Sequence, residues 1–456
     1  MIVRISPQKF SGIVRIPASK SHTIRQLLIA SLADGISEIL CPLDSLDTRS
    51  CISACRVFGA QIDEQYDGEN LIKLIVKGNA NFRDSGHRTE NKIDVGNSGT
   101  TLYLALALAG LQNNPIQFTG DEQIQKRSAA PLLEALASIG VKCQSNNGCA
   151  PITVQGPWAG GKVVLSCPTS QYLSAMLIAA PLAPAGAKTE INVPLLNELP
   201  YIEMTLSYLK AQGIPYKADF FSSVPAAGQE NPNSGYFVVN GGYSYKSFTS
   251  SVPGDFSSAA FPAAAAAITG GIATLYGLDP QDTQGDKFFL EMLQEMGCEV
   301  SWSSPKDSSV PENTGNSVVI SRSKPLKGGT FNLNKTPDML PAAAAVAAYA
   351  NGDTVLTNVA HARIKETDRI AVMAQELAKL GVKCTEKPDG LVIHGKGGLE
   401  NPKNSSSVPL LEGHGDHRVV MALAVAALGG QSPVEITSAE SAQVTYPGFF
   451  NILQTI

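Results

Sequence analysis

Runs of small apolar residues recur along the chain, and each run follows a short polar or proline-containing segment. The runs carry almost no polar positions, so they predict helices that are buried on all sides. The segments before them contain Ser, Thr, Asn or Asp, the residue types that cap helix N-termini. The six copies are residues 17–21 before 27–33, 96–100 before 102–110, 168–171 before 173–182, 253–255 before 259–270, 336–338 before 340–350, and 415–418 before 419–429.

The six copies are evenly spaced. One polar residue marks each copy, and successive markers lie 73 to 85 residues apart: Ser19, Asn97, Ser170, Asp255, Asp338 and Asp416. A second, amphipathic helix follows most copies and ends at a glycine, which is typical of a left-handed C-cap. These glycines keep a similar spacing: Gly59, Gly140, Gly213, Gly297 and Gly381. Two independent markers with one period predict six repeats of about eighty residues, each a helix, strand, helix and hairpin. The alternative is an alanine-rich α/β chain without repeats.

Strand-like pairs follow several of these glycines and enclose polar loops. The predicted pairs are 141–144 with 152–155, 298–302 with 317–321, and 382–385 with 391–394. Long polar loops occupy the hairpin positions at 222–234, 303–316 and 401–409. Their Ser, Asn, Pro and Gly content predicts exposed connections.

Composition limits the class of protein. The chain has 456 residues, of which 16% are charged and 43% hydrophobic, so it is not a disordered chain. The net charge of −5 argues against a general nucleic-acid binder but leaves a local basic cleft open. The eight cysteines form no C-x-x-C pair, so neither a zinc site nor a disulfide scaffold is expected. The apolar runs are too short to span a bilayer and the first twenty residues do not form a signal peptide, which predicts a soluble cytoplasmic protein without membrane partners.

The predicted helix starts carry more than caps. Lys20, Arg25, Gln171 and Arg418 lie beside the capping residues. Helix N-termini attract anions through their free N–H groups and the helix dipole. For any single start, capping alone is the simpler interpretation. Six such starts, if they converged, would form a site for phosphates or carboxylates.

A second charged cluster is the run K-E-T-D-R that begins at Lys365. Lys365 and Arg369 lie four residues apart and would share one face of the amphipathic helix that they open. A solvated face with internal ion pairs is the alternative. Against it, Ile370 and Met373 bring the same helix into the core. Residues 120–127 occupy the matching place in the second copy, where a loop with a cap is the alternative.

Together these motifs resemble those of the enolpyruvyl transferase family. The motifs are P-A-S-K-S at 17–21, G-N-S-G-T at 96–100, S-Q at 170–171, P-G-D-F-S-S-A at 253–259, P-D at 337–338, K-E-T-D-R at 365–369 and D-H-R at 416–418. They cover nearly the whole chain. The dipeptide Lys20-Ser21 resembles the sequence found in the branch that acts on shikimate 3-phosphate. The branch that acts on UDP-N-acetylglucosamine typically has Lys-Asn at the same place.

The resemblance implies a two-lobed α/β fold, an inside-out α/β barrel in which each lobe holds three βαβαββ repeats. The implied first lobe is 20–246 and the second is 1–19 plus 247–456, with the active site in the cleft between them. The implied reaction moves the enolpyruvyl group of phosphoenolpyruvate to the 5-hydroxyl of shikimate 3-phosphate and releases phosphate. It needs no metal or cofactor. The expected partners are these small molecules only, and we expect a monomer.

The resemblance also implies residue roles. Asp338 would be the base for the hydroxyl proton, Glu366 the acid and base at the methylene carbon, and Lys20 a cation shared by both substrates. The implied contacts with shikimate 3-phosphate are Lys20, Ser21, Arg25, Thr169, Ser170, Gln171, Asp338 and Lys365. Those with phosphoenolpyruvate are Lys20, Gly99, Arg127, Gln171, Arg369 and Arg418.

Five positions depart from the family pattern: Tyr103 where Arg is usual, Ser128 where Pro is common, Glu198 near a usual Ser or Arg, His361 for a frequent Asn, and Val444 for a frequent Lys. A carboxylate at Glu198 would repel the acceptor's phosphate. Two alternatives therefore stay open. One is an enolpyruvyl transferase with another acceptor alcohol, and the other is a non-catalytic protein that binds anions.

Overall fold

The computed structural model describes residues 1–84, 91–221, 233–303, 316–399 and 408–455. The polar loops predicted at 222–234, 303–316 and 401–409 lie almost entirely outside these described residues. The chain divides into two compact units, Met1–Ser19 with Pro253–Ile456, and Lys20–Val252. Within the Lys20–Val252 unit, strands Tyr245–Lys246 and Thr249–Ser251 pair with Ala33–Asp34 and Ile36–Leu40.

Helices and strands alternate along both units, which confirms the predicted α/β class. The α-helices are α1 Lys20–Ser31, α2 Leu46–Val57, α3 Gly99–Ala109, α4 Ala130–Ser138, α5 Ser170–Ala179, α6 Leu199–Ala211, α7 Phe256–Thr269, α8 Phe288–Glu295, α9 Leu340–Ala347, α10 Arg369–Lys379, α11 His417–Leu428 and α12 Phe449–Thr455. The strands are β1 Val3–Ile5, β2 Gly12–Arg15, β3 Ala33–Asp34, β4 Ile36–Leu40, β5 Gln61–Asp67, β6 Asn70–Lys77, β7 Lys92–Asp94, β8 Ile116–Thr119, β9 Lys142–Asn146, β10 Cys149–Gln155, β11 Gly161–Val164, β12 Lys188–Val193, β13 Tyr216–Phe221, β14 Ser234–Asn240, β15 Tyr245–Lys246, β16 Thr249–Ser251, β17 Ile272–Tyr276, β18 Glu299–Ser303, β19 Ser317–Ser321, β20 Thr330–Asn332, β21 Asn351–Thr357, β22 Lys383–Lys387, β23 Gly390–Lys396, β24 Leu410–Leu411 and β25 Val434–Ile436.

The four-stranded sheets share one strand order. In each, an edge strand pairs in parallel with the second strand, which is antiparallel to the third, and the third forms a hairpin with the fourth. The Lys20–Val252 unit holds β16-β4-β6-β5, β7-β8-β10-β9 and β11-β12-β14-β13. The other unit holds β2-β17-β19-β18 and β20-β21-β23-β22, with the three-stranded β24-β25-β1 as a shorter version.

The six apolar runs form helices α1, α3, α5, α7, α9 and α11, and almost every residue in them is buried. Helices α7, α9 and α11 pack against one another in one unit, while α3 packs against α5 and α1 in the other. Alanine allows this close packing because it fills little space and has the highest helix propensity. The prediction of buried helices is confirmed.

Glycine ends the amphipathic helices as predicted. Each of α2, α4, α6, α8 and α10 is followed by a glycine with φ between +69° and +106°, a region that glycine adopts without strain. Of the helices in the described ranges, none is both long and apolar enough to cross a membrane.

Candidate active site

In the unit Met1–Ser19 with Pro253–Ile456, several helix starts bear charged side chains. Asp416 caps α11 by accepting from the backbone N–H groups of Arg418 and Val419. Its other oxygen accepts from Thr367 Oγ1 at 3.0 Å and from Arg369 Nε at 2.8 Å. Asp416 is therefore both a cap and the partner of a buried cation. Burial by itself would raise the pKa of Asp416, but the charges of Arg369 and His417 and the hydrogen bond from Arg369 together lower it.

Arg369, the first residue of α10, contacts three carboxylates. Its Nε lies 2.8 Å from Asp416 Oδ2, its Nη1 lies 2.8 Å from Asp338 Oδ1, and its Nη2 donates to Glu366 Oε2 at 2.5 Å. Only 1% of the arginine side chain is exposed. The planar guanidinium suits this task because its donors point in fixed directions.

Asp338 lies among three cations. Arg369 Nη1 is 2.8 Å from it, Arg418 Nη2 is 3.0 Å away, and Lys365 Nζ is 3.8 Å away. Burial by itself would raise the pKa of Asp338, but the charges of Arg418, Lys365 and Arg369 hold the pKa well below its ordinary value. The carboxylate still exposes 21% of its side chain, so a ligand can reach it.

The K-E-T-D-R run differs from the sequence prediction in one respect. Helix α10 begins only at Arg369, because the Asp368 side chain accepts from the Ala371 N–H and caps the helix there. Lys365 precedes the helix, so the predicted shared helix face of Lys365 and Arg369 is wrong. The two side chains nevertheless converge on Asp338. The alternative of a solvated face with internal ion pairs fits only Asp368, whose Oδ2 lies 2.6 Å from Arg363 Nη1.

Two further aspartates of this unit, Asp255 and Asp286, are buried. The sequence marks Asp255 as a helix cap, but it indicates no role for Asp286. Asp286 accepts from the hydroxyl groups of Ser257 and Thr336. Asp255 caps α7 by accepting from the Ser257 N–H at 3.2 Å. Burial, with the nearby charge of Asp338, raises the pKa of Asp286. No sequence signal marks Asp286, because an acid at a helix start usually serves only the helix dipole.

Asp255 leads to a prediction about stability and pH. Burial raises its pKa from 3.8 to about 6, against the opposing charge of Arg418. The folded state therefore binds a proton more tightly than the unfolded state, and stability falls as the pH rises from about 4 to 6. Asp255→Asn should raise the free energy of unfolding at pH 8 by about 1–3 kcal/mol, and the gain should shrink toward pH 4.

Urea titrations of both proteins at pH 4, 6 and 8 check this expectation. The exposed Asp279 in the same unit, as Asp279→Asn, is the control, for which we expect no pH-dependent difference. A destabilised Asp255→Asn at pH 8 would show that the cap needs the charge, against the expectation.

In the unit Lys20–Val252, Lys20 is the first residue of α1. Its Nζ forms an ion pair with Asp47 Oδ2 at 2.9 Å, and the aspartate side chain is only 3% exposed. Asp47 lies in the first turn of α2. The sequence does not reveal this partner, because an acid in a first helical turn is ordinary.

Arg25 is buried within the same unit. Its guanidinium donates to Thr205 Oγ1 at 2.9 Å, to Ser174 Oγ at 3.2 Å, and to the carbonyl oxygens of Ser21 and Tyr201. Burial lowers the pKa of Arg25 to about 10. The residue thereby ties together α1, α5 and α6 as well as lying near the predicted acceptor contacts.

The start of α5 holds three predicted contacts and one departure from the family pattern. Thr169 caps the helix, and Ser170 and Gln171 are its first residues. The Glu198 carboxylate lies against them. Its Oε2 accepts from Ser170 N at 2.9 Å, Ser170 Oγ at 2.6 Å and Thr169 Oγ1 at 3.2 Å.

Gly99 begins α3 close to two other predicted contacts. A methyl group on Gly99 would lie 2.8 Å from Arg127 Nη1 and 3.9 Å from Gln171 Oε1. Tyr103, which stands where the family usually has Arg, is buried and packs edge-to-face on Tyr172 with ring centroids 5.0 Å apart. The structure thus places an aromatic side chain, and no cation, at position 103.

Of the remaining departures, Ser128 and His361 make polar contacts with the backbone. Ser128 Oγ accepts from the Ala130 N–H at the start of α4. His361 is buried, with its Nε2 3.2 Å from the Asn334 carbonyl oxygen. Val444 ends a 3-10 turn before Thr445. In the part of the chain that the structure describes, no group of three or more His, Cys, Asp or Glu side chains could hold a metal ion.

Carboxylates held among arginine and lysine side chains at helix starts are groups suited to binding anions and transferring protons. Comparison with known proteins shows which family the chain belongs to. The chain belongs to the EPSP synthase (3-phosphoshikimate 1-carboxyvinyltransferase) family, whose model matches residues 5–453. The resemblance inferred from the sequence motifs is confirmed.

Individual relatives agree with the family. The protein named 3-phosphoshikimate 1-carboxyvinyltransferase from Acetivibrio thermocellus is 43% identical over 455 residues, which is 99% of this chain and 97% of the relative. That from Methanothrix thermoacetophila is 40% identical over 460 residues, covering 100% and 98%. Among solved structures, EPSP synthase from Acinetobacter baumannii matches with a TM-score of 0.76 at 26% identity, covering 100% of this chain and 98% of that one.

Proposed function

We propose that this protein transfers the enolpyruvyl group of phosphoenolpyruvate to the 5-hydroxyl of shikimate 3-phosphate and releases phosphate. The step belongs to the shikimate pathway, which leads to chorismate and the aromatic amino acids. The observation that supports it most strongly is Asp338 held between Arg369, Arg418 and Lys365. Both substrates carry a phosphate and a carboxylate, and arginine forks match both groups.

The chemistry has two steps in which atoms and protons balance. The acceptor oxygen attacks C2 of phosphoenolpyruvate while Asp338 takes its proton and Glu366 gives a proton to the methylene carbon. This forms a tetrahedral adduct with a methyl group. The C–O bond to phosphate then breaks, Glu366 takes a proton back from the methyl group, and the departing phosphate receives the proton from Asp338.

Donor binding prepares both carboxylates for these roles. In this structure Asp338 is a weak base because three cations lower its pKa. A donor anion that binds Arg369 and Arg418 takes positive charge away from Asp338, so the pKa of Asp338 rises and the carboxylate becomes a better base. The same event separates Glu366 from Arg369, its ion-pair partner. That separation favours the protonated Glu366 that an acid requires.

The Lys20–Val252 unit supplies the remaining groups in this proposal. Lys20 neutralises charge on both substrates after leaving Asp47, and Ser21, Arg25, Thr169, Ser170 and Gln171 serve the acceptor, as the resemblance implies. Gly99 and Arg127 serve the donor. We further propose that the two units are the two lobes of the family fold and that each holds three βαβαββ repeats, a proposal supported by the shared strand order. A cytoplasmic location and a monomeric state stay predictions.

Gly99 provides a test of the donor contacts. Gly99→Ala should raise the KM for phosphoenolpyruvate on the order of tenfold, because the added methyl group would force Arg127 Nη1 to move. The same change should weaken inhibition by glyphosate, a phosphoenolpyruvate mimic. The KM for shikimate 3-phosphate should stay within about twofold. Equal changes in both KM values would show that the methyl group disturbs the whole site and not the donor contact.

A second candidate function is the same transfer to another acceptor alcohol, favoured by the carboxylate of Glu198 at the start of α5. Measuring phosphate release from phosphoenolpyruvate with shikimate 3-phosphate, with shikimate, and without acceptor separates the candidates. We expect turnover with shikimate 3-phosphate and little with shikimate. Turnover with shikimate alone would favour the second candidate, and no turnover with either would contradict the proposed function.

A further inference from the structure

The Glu198 carboxylate accepts hydrogen bonds from the donors at the start of α5. One carboxylate oxygen, Oε2, accepts from the Ser170 backbone N–H, the Ser170 hydroxyl and the Thr169 hydroxyl. The residue is 2% exposed. Free N–H groups and the helix dipole favour an anion at the start of α5. A carboxylate of the same chain occupies that place.

The backbone of Glu198 is adapted to this arrangement. Its φ of 57° and ψ of 42° place it in the left-handed region, which is uncommon for a residue other than glycine, Asn or Asp. Glu198 immediately precedes α6, yet its side chain makes no capping hydrogen bond to that helix. The side chain instead reaches the neighbouring α5. The strained conformation therefore serves the contact with Ser170 and Thr169.

Arg25 contributes positive charge near Glu198. The charge of Glu198 acts to raise the pKa of the Arg25 guanidinium, which burial lowers. Arg25 donates to neutral oxygens of Ser21, Ser174, Tyr201 and Thr205. A phosphate that reached this region would meet the same cation and the same donors as the Glu198 carboxylate.

We propose that Glu198 is a specificity-determining residue that occupies the place of the acceptor's phosphate at the start of α5 and must withdraw before that phosphate binds. This inference rests on the proposed function, because it takes the acceptor to be a phosphate ester. The Ser170 N–H and each hydroxyl have a single hydrogen to donate. Two anions in one buried place also repel each other strongly. The carboxylate and the phosphate therefore compete for the same donors.

The competition predicts that removing the charge tightens acceptor binding. Glu198→Gln keeps the size of the side chain but donates or accepts only neutral hydrogen bonds. Glu198→Gly removes the side chain and suits the left-handed backbone. For both variants we expect the Kd of shikimate 3-phosphate, measured by isothermal titration calorimetry, to fall on the order of tenfold. The KM for shikimate 3-phosphate should fall in parallel, while the KM for phosphoenolpyruvate stays unchanged.

The matched control is Glu203→Gln, an exposed carboxylate on the same helix α6, which should leave the Kd unchanged. An unchanged or raised Kd in Glu198→Gln and in Glu198→Gly would overturn the proposal. Thermal melting separates a folding defect from a binding effect, and the glycine variant keeps the test open if the glutamine variant is unstable. Failure of the proposed function is distinguishable: it would leave every variant without phosphate release, whatever the Kd.

Discussion

Asp338→Asn should lower kcat by about a thousandfold, the largest effect on activity that we expect from a single substitution. The amide has nearly the shape of the carboxylate but cannot accept the hydroxyl proton. It also leaves Arg369, Arg418 and Lys365 without their shared anion. Phosphate release under saturating phosphoenolpyruvate and shikimate 3-phosphate measures the effect.

The control for this substitution is Asp353→Asn, which changes an exposed aspartate in the same unit. It should retain kcat within about twofold. Binding of phosphoenolpyruvate to Asp338→Asn, measured by calorimetry, shows whether the arginines still hold the donor. A kcat near that of the unaltered protein would remove Asp338 from the role of base.

Arg369→Met should produce the largest loss of stability. The substitution removes one cation from three carboxylates, and Asp416 has no exposed side-chain surface through which water could compensate. Breaking a buried ion pair in this way costs about 3–5 kcal/mol. Urea unfolding followed by circular dichroism should show a lower midpoint, and activity should be lost with it.

Two further variants provide reference values for the loss of stability in Arg369→Met. Arg369→Lys keeps the charge but not the fork, so it should fall between Arg369→Met and the unaltered protein. Arg363→Met removes a more exposed arginine from surface ion pairs with Asp368 and Glu386, and it should cost at most about 1 kcal/mol. If Arg369→Met were no more destabilising than Arg363→Met, the buried network would not be a source of stability.

The sequence predicts the buried helices well because their signals are local. A run such as that of α7, with an Asp cap and a closing glycine, carries its own start, end and burial. The converging charges at Asp338 were predicted through the family motifs. Their geometry was not predicted. The sequence placed the start of α10 at Lys365, but the helix begins at Arg369 because Asp368 caps it.

The partners that the sequence did not reveal all depend on tertiary contacts. Asp47 lies 27 residues from Lys20 along the chain, and nothing in either local pattern joins them. For Glu198 the sequence predicted repulsion of a phosphate, but the contact with Ser170 follows from a left-handed backbone that glutamate seldom adopts. The parallel pairing of β2 with β17 joins segments far apart in the chain, which no periodicity encodes.

This chain is expected to make an enolpyruvyl ether from shikimate 3-phosphate and phosphoenolpyruvate. ³¹P nuclear magnetic resonance and mass spectrometry of one reaction containing both substrates test it most directly. We expect equal amounts of inorganic phosphate and of 5-enolpyruvylshikimate 3-phosphate, with neither formed by Asp338→Asn at a comparable rate. Phosphate without the ether, or an unchanged mixture after prolonged incubation, would contradict it.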